Sequence, residues 1–102
     1  MNNLDKTRPL RLGIIGCGDV VQRFHYQALS FFRKRGRIII KWTFDRDYCA
    51  ASAVAKSLVS TPINDLNAAL GVDAILIAVP VGCRKEFWQL AFDRDWHVFS
   101  EK

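Results

Sequence analysis

The chain has 102 residues and a mass of 11.6 kDa, room for one small domain rather than two. Half of it is apolar and a quarter charged, at a mean hydropathy of +0.02, which excludes a disordered chain, and no apolar run is long enough for a membrane-spanning helix. The formal charge is +5, and eight of the 15 Lys and Arg fall in residues 1–37 against two acids, but no aromatic–basic interleaving or recognition motif accompanies them, so nucleic acid is not an expected partner.

The stretch from Met1 to Arg11 is polar, carries Asp5 and lacks the apolar segment of a secretory signal. Residues 1–10 read as an N-terminal extension and residues 11–102 as the domain. Leu12-Gly13-Ile14-Ile15 is a short apolar run ending in Gly16, a first strand. From Asp19 to Arg33, Val20, Val21, Phe24, Ala28, Phe31 and Phe32 recur at helical spacing, and Gly36 breaks that helix. Arg33-Lys34-Arg35 falls at its end, where the helix dipole favours cations.

Ile38 to Phe44 is rich in β-branched and aromatic residues, a second strand. Asp47 to Ser57 is alanine-rich and unbroken, a second helix. Leu58 to Thr61 reads as a short third strand that Pro62 ends. Asn64 or Asp65 can cap a short helix that Gly71 terminates. Asp73 to Val79 is nearly pure apolar, a fourth strand closed by Pro80. Cys83, Phe87, Leu90 and Ala91 space a last helix, and Trp96 to Ser100 is a fifth strand.

The first and fourth strands lack polar alternation, as strands covered on both faces do. Alternating strands and helices imply right-handed crossovers. The expected fold is α/β: a doubly wound, mostly parallel Rossmann sheet of order 3-2-1-4-5, stopping before a sixth strand. Such sheets bind ligands beyond the strand C-ends, where the order reverses between strands 1 and 4.

Gly16-Cys17-Gly18-Asp19-Val20-Val21 opens the first helix and follows the dinucleotide fingerprint G-x-G-x-x-G/A, with Val21 in the third position. Gly16 permits a tight turn, Gly18 lets a pyrophosphate approach, and the helix N-terminus offers free N–H groups. Val21 is larger than the usual residue, so the helix should stand slightly further off. Asp45 ends the second strand 24 residues past Val21, suited to a ribose 2′-OH. Asp47 is the better helix cap, which leaves Asp45 for ribose. A carboxylate repels a 2′-phosphate while Arg46 could grip one, so NAD is favoured over NADP with both open.

Ala78-Val79-Pro80-Val81 would line the nicotinamide-side ribose. Glu101-Lys102 follows the fifth strand at the same edge, where Lys102 could hydrogen-bond both cofactor ribose and substrate hydroxyl. Cys17 and Cys83 have two readings each, a thiol with lowered pKa near a helix N-terminus or simply a small residue. Cys17, Cys49 and Cys83 are odd in number with no CxxC pair, which indicates neither zinc nor a disulfide framework and suits a reducing cytoplasm. His25 reads as a surface or helix-packing residue, and His97 as structural, alternating into the sheet.

Together these segments resemble the Gfo/Idh/MocA oxidoreductase family, the glucose–fructose oxidoreductase and inositol dehydrogenase type. The resemblance rests on Gly13-Ile14-Ile15-Gly16-Cys17-Gly18 with His25, Ala28 and Leu29; on Phe44-Asp45-Arg46-Asp47; on Val72 to Pro80; and on His97-Val98-Phe99-Ser100-Glu101-Lys102. It spans residues 11–102. The resemblance implies a Rossmann domain for NAD(P), a following α/β domain for substrate, and hydride transfer between nicotinamide and a sugar or polyol carbon. It implies that Lys102 is catalytic, touching substrate and cofactor.

Three departures stand out. Arg84 occupies the position where the family often has a cofactor-contacting His, Asp95-Trp96 replaces a small residue, and the Pro that follows Glu-Lys in the family is expected to be absent. Without the substrate domain the chain is expected to bind cofactor and not turn over. The alternatives are a non-enzymatic cofactor-sensing module and a truncated product without activity. Trp96, Val98 and Phe99 make the last strand an apolar edge, so self-association through it is expected.

Overall fold

The structure, a computed structural model, describes residues 8–18 and 21–100. Five strands, β1 (Leu10–Ile15), β2 (Ile38–Phe44), β3 (Pro62–Ile63), β4 (Ala74–Ile77) and β5 (His97–Ser100), form one sheet in the order β3-β2-β1-β4-β5. Every pairing is parallel. The chain winds outward from β1 to β3, then returns to the far side of β1 for β4. This reversal leaves a crevice beyond the C-ends of β1 and β4.

Two cores explain why β1 and β4 read as unbroken apolar runs. Successive strand side chains point to opposite faces. Ile14, with Leu12, Ala74 and Leu76, belongs to one core, covered by helices α1 (Tyr26–Lys34) and α2 (Tyr48–Leu58) through Leu29, Val54 and Leu58. Ile15, Ile75 and Ile77 belong to the other, covered by α3 (Lys85–Asp93) through Phe87 and Ala91. Both faces therefore need apolar residues at every step. Each fully buried aliphatic side chain contributes about 1.5–3 kcal/mol, and Ile14, Ile15, Ile75 and Ile77 are all completely buried.

Local signals set most of the boundaries. Asp47 caps α2, accepting from the Cys49 amide at 3.0 Å, and Asp65 caps a 3-10 turn at Leu66–Ala68 through the Asn67 amide at 2.9 Å. Arg33 and Lys34 close α1, and the Arg35 guanidinium lies 4.3 Å over the Phe31 ring.

The structure departs from the sequence reading at several places. The chain enters α1 through a π-helical turn, Val21–His25, in which Val21 is buried in the first core. Leu58 completes α2, fully buried, rather than starting a strand. Pro62 then begins β3 instead of ending it, opposite Thr43. Proline is tolerated there because the first residue of an edge strand need not donate to the ladder. The helix expected after Asp65 is only the 3-10 turn, too short to bury an apolar stripe. β4 stops at Ile77, two residues early, because Val79 and Pro80 turn away toward a second 3-10 turn at Val81–Cys83. His97 is exposed rather than turned into the sheet, since β5 is an edge strand with all four residues exposed. Among the described residues no helix is long and apolar enough to cross a membrane.

Candidate functional site at the crevice

The C-terminal ends of β1, β2 and β4 converge on a cleft of about 210 Å³, with Gly16, Gly18, Asp45, Arg46, Ala78, Val79 and Pro80 in its walls. Ile15, Phe44, Cys83 and Phe87 complete the lining. Segments far apart in sequence thus meet at one place.

Gly16 is wedged between two strands. Its φ is +95°, and a Cβ there would lie 2.5 Å from the Ala78 carbonyl oxygen. Only glycine meets both conditions. The Gly16 amide donates to the Phe44 carbonyl at 2.8 Å, and the Ala78 amide donates to the Ile15 carbonyl at 2.8 Å. The turn is therefore pinned to β2 on one side and β4 on the other. Gly18 differs: it is exposed, and nothing lies within 4 Å of a Cβ built there. That open space is where a phosphate can reach the backbone.

Asp45 ties the turn to β2. One carboxylate oxygen accepts from the Cys17 amide at 2.7 Å, and the other accepts from the Asp47 amide at 2.8 Å. Asp47 does cap α2, but Asp45 is not left free by it. Two of about four acceptor positions on the carboxylate are used, which leaves the others for a diol. The amides of Gly16 and Cys17 are both committed within the protein, to the Phe44 carbonyl and the Asp45 carboxylate. Gln22 buttresses the turn, donating from Nε2 to the Cys17 carbonyl at 2.9 Å and from its amide to the Gly18 carbonyl at 3.1 Å.

The structure overturns the reading of Cys17 as an activated thiol. Its side chain is fully buried, and burial, reinforced by the nearby Asp45 charge, pushes the thiol up to about 12. It stays protonated and fills space, in the same core as Ile14 and Val21. Arg84 is also buried, with Nε donating to the Val79 carbonyl at 3.0 Å. It braces the turn after β4 from behind and is not among the residues lining the cleft. Arg46 reaches across the mouth to α3, where it pairs with Glu86 at 2.7 Å. Asp19, Val20, Glu101 and Lys102, named from the sequence, lie outside the described residues.

Sequence reasoning missed Phe44, Phe87 and Glu86. Phe44 adjoins Asp45, and its ring meets Phe87 at 6.3 Å in an edge-on contact that floors the cleft. Position next to a site acid was a signal for Phe44. No local signal marks Phe87 or Glu86, which reach the site only through the packing of α3.

A glycine turn pinned between strands, an acid at the end of β2 and a crevice at the order reversal define a dinucleotide-binding arrangement. Residues 10–102 match the Gfo/Idh/MocA oxidoreductase family, NAD-binding Rossmann fold. The chain belongs to that family. It is an NAD(P)-binding Rossmann domain. Among solved structures it is similar to an oxidoreductase from Thermotoga maritima, at 29% identity and a TM-score of 0.82, with 93% of this chain and 30% of that one covered. A 3-ketoreductase from Actinomadura kijaniata, solved with NADP and TDP-benzene, matches at 26% identity and a TM-score of 0.80, over 93% of this chain and 29% of that one. The WlbA dehydrogenase from Bordetella pertussis, solved with NADH and UDP-GlcNAcA, matches at 26% identity and a TM-score of 0.79, again over 93% and 29%. The chain thus spans just under a third of the length of these Gfo/Idh/MocA relatives. No curated protein matches it.

Proposed function

We propose that this chain is the cofactor-holding part of an oxidoreductase that moves hydride between nicotinamide and a secondary alcohol carbon of a sugar or polyol. The observation that carries this is the bond from the Cys17 amide to Asp45, which ties the glycine turn to the acid at the end of β2, in the wall of the crevice. Gly18, Asp19 and Val20 would receive the diphosphate, and Asp45 the adenosine ribose diol. Ala78, Val79 and Pro80 would line the path to the nicotinamide-side ribose. Glu101 and Lys102 would stand at the reacting end, with Lys102 touching substrate. Bound nicotinamide supplies or takes up the hydride; these residues orient it. Substrate must be held about 3–3.5 Å from the nicotinamide. A further domain is the expected holder, so the chain alone should bind without turning over. NAD is the favoured cofactor, because Asp45 would repel a 2′-phosphate.

The test is a fluorescence titration of the protein with NADH. Saturable binding is expected, with Asp45→Ala weakening it about tenfold through loss of charge-assisted hydrogen bonds. No binding at millimolar cofactor would refute the reading.

The three unpaired cysteines suit a cytoplasmic protein. The β5 edge exposes Val98 and Phe99, 39% and 53% accessible, and we propose that it pairs with a second copy. Light scattering should show mass rising with concentration, and a stable monomer at high concentration would count against it.

A further inference from the structure

The sequence leaves Arg46 with two opposed roles, as neighbour of a ribose-binding acid and as a guanidinium able to hold a 2′-phosphate. The structure adds a group that bears on the choice. Glu86, in the first turn of α3, holds the Arg46 guanidinium at 2.7 Å across the mouth of the cleft. Arg46 lines the cleft itself and also a shallow depression just outside it, which it shares with Lys85 and Glu86.

We infer that Glu86 is a specificity-determining residue that turns this site against a phosphorylated adenosine ribose. The inference rests on the NAD(P)-binding reading of the cleft and deepens it. The β2 end presents the adenosine ribose to Asp45, so a 2′-phosphate there would emerge beside Arg46. Two basic groups, Arg46 and Lys85, stand at that exit and would attract it. Glu86 neutralises one of them and adds a second carboxylate to that of Asp45. A 2′-phosphate must then displace a carboxylate from Arg46 and sit near two negative charges. A plain 2′-hydroxyl meets neither obstacle.

The pair is solvent-exposed, with side-chain accessibilities of 71% and 59%. Its hold on Arg46 is therefore modest, and so is the discrimination it confers. Exposed ion pairs of this kind correspond to at most about a fivefold change in an equilibrium constant. Glu86 thus biases the choice of cofactor without closing the site to either.

The experiment compares NADH and NADPH by fluorescence titration at low and high salt, on the wild-type chain and on Glu86→Gln and Glu86→Lys. Circular dichroism checks that each variant is folded. Glu86→Gln should raise NADPH affinity relative to NADH about threefold to fivefold. Glu86→Lys should raise it further, and both gains should shrink at high salt. NADH affinity itself should change little, which a general loosening of α3 would not produce. If both cofactors bind and their ratio is the same in all three proteins, the role of Glu86 is overturned while the cofactor site stands. If the wild-type chain binds neither cofactor, both are overturned.

Discussion

Gly13 offers the sharpest test of how this domain is packed. A Cβ at Gly13 would lie 2.3 Å from Cζ2 of Trp42, 2.5 Å from Cη2 and 2.6 Å from Cε2. All three atoms belong to the six-membered part of the indole, so the ring lies flat against the β1 backbone. Trp42 is 3% exposed and packs on Trp96 with ring centroids 6.0 Å apart, so it has nowhere to swing. The β1–β2 register also shifts between Leu12 and Gly13, with Lys41 of β2 left out of the pairing. Overpacking a core costs about 1–3 kcal/mol, and a contact this short puts Gly13→Ala at the upper end. Replacing a strand glycine by alanine returns about 0.5–1 kcal/mol. The net loss should be about 2 kcal/mol, a fall in Tm of about 10–15 °C for a domain of this size.

Thermal and urea melts followed by circular dichroism measure it. The double variant Gly13→Ala/Trp42→Phe separates the clash from a general strand effect. Phe removes Cζ2 and Cη2, the two nearest of the colliding atoms, and also removes the buried Trp42 Nε1, which has no hydrogen-bond partner. The double variant should therefore be more stable than Gly13→Ala alone, a coupling of opposite sign to simple addition. Gly13→Ala melting within about 2 °C of wild type, or a double variant less stable than the single, would refute the reasoning.

At the opposite end of the sheet Asp73 accepts from the Arg11 amide at 3.0 Å and pairs with the Arg11 guanidinium at 2.8 Å, with Arg8 nearby. Hydrogen bonding from Arg11 lowers its carboxyl from 3.8 to about 2. The folded value is the depressed one, so this stabilisation is complete above about pH 4 and is lost as pH falls toward 2. Because Arg8 and Arg11 are partly exposed, Asp73→Asn should cost only about 1 kcal/mol at pH 7, and its melting temperature should converge on the wild type near pH 2. Thiol labelling gives a separate check: Cys49 is exposed and should react fast with an aromatic disulfide, while Cys17, buried with its thiol pKa near 12, should react only as the domain unfolds. Rapid labelling of Cys17 in the native protein would contradict its place in the core.

The two-faced burial and the glycine turn were legible in the sequence because each has a local cause, and the strand order because alternating strands and helices with right-handed crossovers admit few arrangements. Ile14 and Ile15 must both be apolar when helices cover both faces, and Gly16 must be glycine where φ is +95°. Asp47 announces α2 because an N-cap acts on amides only two residues away. The third strand, the commitment of the Cys17 amide to Asp45 and the placing of Glu86 against Arg46 had no such signature. They join residues 28 and 40 positions apart in the bonds that define the cleft. Residue pattern determined which segments become strands and helices; only the assembled sheet decided which carboxylate faces which amide or guanidinium. Those encounters depend on how helices dock across a finished sheet, and that information resides in packing between elements, not in any one of them.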